Sequence, residues 1–106
     1  MVTKQNAISL AQEFLSEIKN NGLNVRKAFL FGSYALNNQT EDSDIDLAIV
    51  ADEFVGLGFI DKEYTSKINI KPHFRIIDAR TIPTKSFLER GPFIDEITKN
   101  GIELHL

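Results

Sequence analysis

There is no cysteine and no tryptophan in this chain, and only three prolines. Without cysteine there can be no disulfide staple and no thiolate metal site, which fits a reducing compartment. No apolar run approaches the roughly 18 residues that a bilayer-spanning helix needs. The first residues, Met1 to Ala7, lack the apolar core of a signal peptide. A cytoplasmic protein is the expectation. A basic excess is missing too. The net charge is −3, whereas a duplex-binding surface usually needs a basic face. The sequence therefore predicts no extended nucleic-acid surface and no membrane contact, and it leaves room for a small anionic ligand held with metal ions.

What is present suits one small folded unit. The 106 residues fit a single domain, residues 1–106, able to bury roughly two-thirds of its unfolded surface. Ile8, Ala11, Leu15 and Ile18 share a helical stripe over residues 7–18, and Gly22 follows as a stop. Val25 to Phe31 reads as a strand, with Ser33 to Leu36 starting a short helix after it. A second strand runs from Asp44 to Val50. Residues 51–61 read as a mobile connection, 61–67 as a helical turn, and Ile68 to Phe74 as a third strand. Pro92 opens a last helix to about Asn100, closed by Gly101, and Ile102 to Leu106 suits a short final strand. The expected architecture is α/β (α+β): a small mixed sheet of three to five strands with helices packed on one side.

Two places carry chemistry. In Ser43-Asp44-Ile45-Asp46-Leu47-Ala48-Ile49-Val50 the β-branched tail makes a strand, so Asp44 and Asp46 share one face. Carboxylates about 6.6 Å apart repel unless water or a cation screens them, and hard oxygen ligands suit Mg²⁺. Taken alone, the pair also fits a solvated strand start. A calcium loop is excluded: Asp42, Asp44, Asp46 and Glu53 match its positions 1, 3, 5 and 12, but Leu47 stands where its turn requires glycine. The other place is Phe29-Leu30-Phe31-Gly32-Ser33. There a strand ends in a glycine that lets a phosphate approach the backbone, followed by a hydroxyl and a set of unpaired amides. No Gly-Lys-Ser or Gly-Lys-Thr of a common P-loop is present.

In combination these residues resemble the signature of the DNA polymerase beta-like nucleotidyltransferases, in its minimal form. Gly32-Ser33 is followed, eleven positions from Ser33, by Asp44-Ile45-Asp46 on the next strand. The resemblance extends to Ile70-Lys71-Pro72-His73-Phe74 and to Pro92 through Ile102. It implies that Asp44 and Asp46 are catalytic and hold two Mg²⁺ ions. It also implies that Gly32 and Ser33 bind a nucleoside triphosphate, with AMP from ATP as the group expected to move to a protein or small-molecule acceptor. Some relatives are antitoxins encoded beside HEPN-type ribonuclease toxins. A HEPN-type toxin partner is therefore an expectation, as is a homo-oligomer. The apolar stretch Phe54 to Ile60 is a candidate interface.

The chain also departs from the pattern. Leu36-Asn37 stands where relatives often carry a basic residue and glycine. Lys71 stands where similar sequences carry a third carboxylate. Read as a strand, residues 68–74 put Asn69, Lys71 and His73 on one face. Lys71 would then neutralise the Asp pair and leave a catalytically degenerate binding module as the alternative function. Asp78 could replace the missing carboxylate only if the chain curls back. His73 reads as structural.

Overall fold

The computed structural model describes residues 2–106. The chain opens with α1 (Lys4–Asn20), whose Thr3 hydroxyl caps the first turn by accepting from the Asn6 N–H at 3.1 Å. Next come β1 (Val25–Phe31) and β2 (Ile45–Ala51), then the short helices α2 (Gly58–Asp61) and α3 (Glu63–Asn69). A 3₁₀ turn at Pro72–Phe74 leads into β3 (Ile77–Pro83). The chain ends with α4 (Thr84–Glu89), α5 (Pro92–Asn100) and the two-residue β4 (Ile102–Glu103).

The strands form one mixed sheet in the order β3-β2-β1-β4. β1 is antiparallel to both β2 and β4, while β2 and β3 run parallel. β2 sits between two strands and is covered on both faces, so six of its seven residues are buried and its apolar run is nearly continuous. On one face Ala7, Ala11, Phe14, Leu15 and Ile18 of α1 pack over Leu30, Leu47 and Ile49, joined by Ile68 of α3 and by Phe74. Phe14 meets Phe74 edge to face at 5.3 Å. The expected mixed sheet with a helical layer is there. In addition, α4 and α5 cover part of the opposite face, where Phe87, Ile94 and Ile97 pack on Phe29, Ala48, Val50 and Ile82.

Three local expectations are corrected. Residues 68–74 are not a strand. Ile68 and Phe74 are both buried, but one ends α3 and the other sits in the 3₁₀ turn that Pro72 begins, while Ile70 is exposed. The third strand lies later, at Ile77–Pro83, where Ile77 and Ala79 point inward and Asp78 and Arg80 outward. Residues 51–61 are not simply a connection. They contain α2, and the buried Asp61 carboxylate ties the segment down by accepting from the N–H groups of Val55 and Gly56, each at 2.9 Å. Lastly, Ser33 to Leu36 forms hydrogen-bonded turns, with Ala35 and Leu36 donating back to Gly32, and goes no further into a helix.

Candidate active site

Gly32 ends β1 with φ +72°, a backbone shape that L side chains rarely adopt. The reason for glycine is steric as well: a Cβ there would run into Oδ2 of Asp46. The turn that follows is anchored by Tyr34, which is fully buried in the α1 core, so Gly32 and Ser33 are fixed against the end of β2. The Ser33 side chain is half-buried and donates no hydrogen bond within the described residues.

Asp46 projects from the face of β2 that α4 and α5 leave open at this end. Asp44 precedes the strand by one residue and is exposed. The parallel register sets Asp46 directly beside Asp78 of β3, on neighbouring strands that lie about 4.8 Å apart. The consequence is electrostatic. Burial, then the neighbouring charge of Asp78, then that of Asp44 raise the Asp46 carboxyl above its ordinary range. Among the described residues no three His, Asp or Glu side chains are gathered closely enough to hold a metal ion, so the acidic cluster is an open one. Its donors nevertheless suit a hard divalent cation, which would relieve the repulsion that Asp46 experiences.

The structure removes Lys71 from this site. Its ammonium pairs with Glu17 of α1, and the segment that was expected to aim it at the carboxylates is the end of α3 and a 3₁₀ turn, with no strand alternation. The acidic position beside the pair is taken by Asp78. His73 lies exposed with its ring against Phe74. Sequence reasoning named Asp78 only as a fallback and missed Arg80. Both were legible in the polar alternation of Ile77-Asp78-Ala79-Arg80-Thr81-Ile82, ending in Pro83.

A cleft of about 500 Å³ opens beside Asp78 and runs along β3. Arg80 lies in it, its guanidinium carbon 4.2 Å from the centre of the Phe93 ring. Phe93 in turn meets Phe31 edge to face at 5.4 Å.

Comparison with known proteins identifies the family and the fold. The family model for polymerase beta nucleotidyltransferases matches residues 12–105. The chain belongs to this family. The nucleotidyltransferase fold is seen again in a crystal structure of a candidate nucleotidyltransferase from Sulfolobus solfataricus. It is 20% identical, with a TM-score of 0.65 over 94% of this chain and 80% of that one. No curated protein matches. A polymerase beta-type nucleotidyltransferase domain carries out nucleotidyl transfer, a chemistry in which a nucleoside triphosphate and divalent metal take part. None of its described helices is long and apolar enough to cross a membrane.

Proposed function

We propose that this domain moves AMP from ATP to a hydroxyl acceptor, with Asp44 and Asp46 as the metal-holding carboxylates and Asp78 as the third. The observation that carries the reading is the register of Asp46 beside Asp78, with Gly32 packed against the Asp46 carboxylate. Two Mg²⁺ ions, when bound, would neutralise charge on the attacking and leaving oxygens. The chain's own groups do the rest. The Gly32 backbone and the unbonded Ser33 hydroxyl receive the terminal phosphates. Asp78 receives the acceptor's proton as its oxygen bonds to the α-phosphorus. The bond from that phosphorus to the bridging oxygen breaks, and pyrophosphate leaves. Positioning in a partly buried site supplies most of the acceleration.

The degenerate-site alternative loses its support, because Lys71 pairs with Glu17. A second reading keeps an observation of its own: Val55, Leu57 and Phe59 are at least half exposed and suit a protein partner. In this reading the domain is the antitoxin of a HEPN-type ribonuclease. Co-expression with such a ribonuclease encoded beside it separates binding from chemistry. Neutralisation that survives Asp46→Asn means binding alone, and neutralisation lost in that variant means transfer.

The main reading is tested with Asp44→Asn and Asp46→Asn, each of which removes charge and keeps shape. Calorimetry should show Mg²⁺-ATP affinity dropping by at least about tenfold in both, in line with the loss of one charged ligand. Equal affinity in all three proteins would sink the metal role.

A further inference from the structure

β3 pairs with another strand on one side only, because it stands at the edge of the sheet. The Ile45 N–H donates to the Ile76 carbonyl at 2.8 Å. With the register of Asp46 beside Asp78, that bond sets which backbone groups face which way. Asp78, Arg80 and Ile82 turn theirs toward β2, while Ile77, Ala79 and Thr81 turn theirs outward. One end of this outer edge is closed: the Asn69 side-chain amide donates to the Ile77 carbonyl at 2.9 Å. Pro83, which has no N–H, ends the other. Between them the N–H and C=O groups of Ala79 and Thr81 have no hydrogen-bond partner outside the sheet among the described residues.

This edge is open. The cleft beside Asp78 is lined by the consecutive residues Asp78 to Pro83, by Gly56, Gly58 and Lys62 from the α2 side, and by Phe93 from the α5 side. Two of the lining positions are glycine, so that wall is low, and the Asp61 carboxylate holds it in place through the Val55 and Gly56 amides.

We propose that the outer edge of β3 docks an extended segment of a partner protein, adding it to the sheet as a fifth strand that presents an acceptor hydroxyl with an acidic residue two positions away. The hydroxyl assignment rests on the nucleotidyltransferase reading; the docking of a strand does not. Unpaired N–H and C=O groups alternating along an edge are a template for another strand. Strand geometry then fixes what each position meets. A residue placed beside Asp78 points its side chain to the face that carries Asp46 and Asp78. Its hydroxyl oxygen can bond to the α-phosphorus, give its proton to Asp78 and release pyrophosphate. Two positions along, the side chain meets Arg80, which is exposed, held over Phe93 and engaged in no ion pair among the described residues. Lys62 lines the same cleft and is likewise unpaired. Two free cations beside this edge, in a molecule of net charge −3, complement an acidic residue and repel a basic one.

The test uses the full chain and a dye-labelled peptide, Thr-Val-Tyr-Val-Glu-Val-Thr. Its controls are a copy with Lys for Glu and a copy N-methylated on alternate backbone amides. Binding is followed by fluorescence anisotropy and transfer by label from α-labelled ATP with Mg²⁺. The parent peptide should bind and take label, and both controls should bind at least about tenfold more weakly. Two protein variants should weaken binding as much. Thr81→Pro removes an outward N–H and leaves the β2 ladder intact. Gly58→Trp fills the cleft wall at a position where nothing lies within 4 Å of an added Cβ. Gly58→Trp should keep its melting temperature and its Mg²⁺-ATP affinity, so its loss of peptide binding reports the cleft and not unfolding. Absence of binding by the parent peptide while Mg²⁺-ATP still binds overturns the proposal and spares the nucleotidyltransferase reading. Binding that ignores N-methylation or Gly58→Trp overturns it too. A doubled mass abolished by Thr81→Pro makes a second copy of this chain the occupant and likewise overturns it. Peptide binding without any Mg²⁺-ATP binding upholds the docking strand and sinks the nucleotidyltransferase reading.

Discussion

Gly32 and Asp46 constrain each other at the level of single atoms. The left-handed φ of Gly32 and the contact between its missing Cβ and Asp46 Oδ2 mean that Gly32→Ala carries two penalties. The backbone alone costs roughly 1–2 kcal/mol, and the new methyl must push the carboxylate aside. Displacement of about 1 Å can cost on the order of a hundredfold in rate. Melting and transfer assays on Gly32→Ala should show a modest fall in stability and a far larger fall in activity. Equal losses in both would place the role of Gly32 in folding. Asp46 offers a second prediction, with a sign. Its carboxyl is raised by burial and by Asp78 and Asp44, so the folded chain holds this proton more tightly than the unfolded one. That contribution to stability is full below the ordinary carboxylate pKa and is lost as pH rises through the raised value. In EDTA, Asp46→Asn should therefore be more stable than wild type at neutral pH, with the gap closing toward about pH 4, where an unperturbed Asp titrates. Asp52 works the other way. The Arg26 side chain, bonded to it, holds its carboxyl below the usual range, a contribution present at neutral pH and lost in acid, and a small one because the pair is exposed. Lys71 gives a third prediction. Facing Glu17, Lys71→Glu should cost about 0.2–1 kcal/mol and leave transfer unchanged. A gain in activity would bring Lys71 back to the site.

At the scale of elements, the third strand decides how much of the site could be seen in advance. Gly32-Ser33 and the Asp pair were legible because each lies on or beside a strand whose apolar run is unmistakable, β1 or β2. Residues 68–74 mimic a strand because Ile68, Ile70, Phe74 and the intervening polar residues alternate. Burial breaks the tie, since helix α3 needs only Thr65 and Ile68 on its inner side and leaves Ile70 exposed. Sequence periodicity over so short a span cannot separate these outcomes, and the acidic partner of Asp46 was missed with the strand that carries it. What starts β3 is a side chain: Asn69 donates to the carbonyls of Phe74 and Ile77 at 3.1 and 2.9 Å, clamping the turn one residue before Asp78. Asn69→Ala leaves two half-buried acceptors without their donor. It should cost about 1–3 kcal/mol and lower transfer by shifting Asp78. Hydrogen exchange faster at Asp78 and Arg80 than at β1 would be the expected signature, and unchanged exchange there would reject the clamp.

For the whole molecule, the division of the sheet into two unequal faces explains where binding energy can act. The α1 face is closed by a continuous core. The other is closed only where α4 and α5 reach, so the carboxylate end of β2 and β3 stays open without loss of the core beneath it. Helix α1 and the sheet around β1 and β2 were readable from apolar spacing. Of the second cover, α5 was readable as the helix that Pro92 opens, but α4 was not, because it is six residues long and buries none of them fully. Stability and ligand binding should consequently separate. A ligand at one hundred times its Kd stabilises the folded state by about 2.7 kcal/mol, or roughly 4–8 °C per kcal/mol in a domain near this size. Ile97→Val, in the second core and fully buried, should lower the melting temperature through a loss of about 0.5–1.5 kcal/mol. It should keep the full increment from Mg²⁺-ATP, because Ile97 lies on the buried face of α5 and not at the carboxylates. Asp46→Asn should do the reverse: a metal-free melting temperature at or above wild type, and almost no increment. ATP with EDTA should stabilise neither. Differential scanning with and without Mg²⁺-ATP on the three proteins decides the matter. An increment retained in Asp46→Asn would mean that the nucleotide binds away from the paired carboxylates.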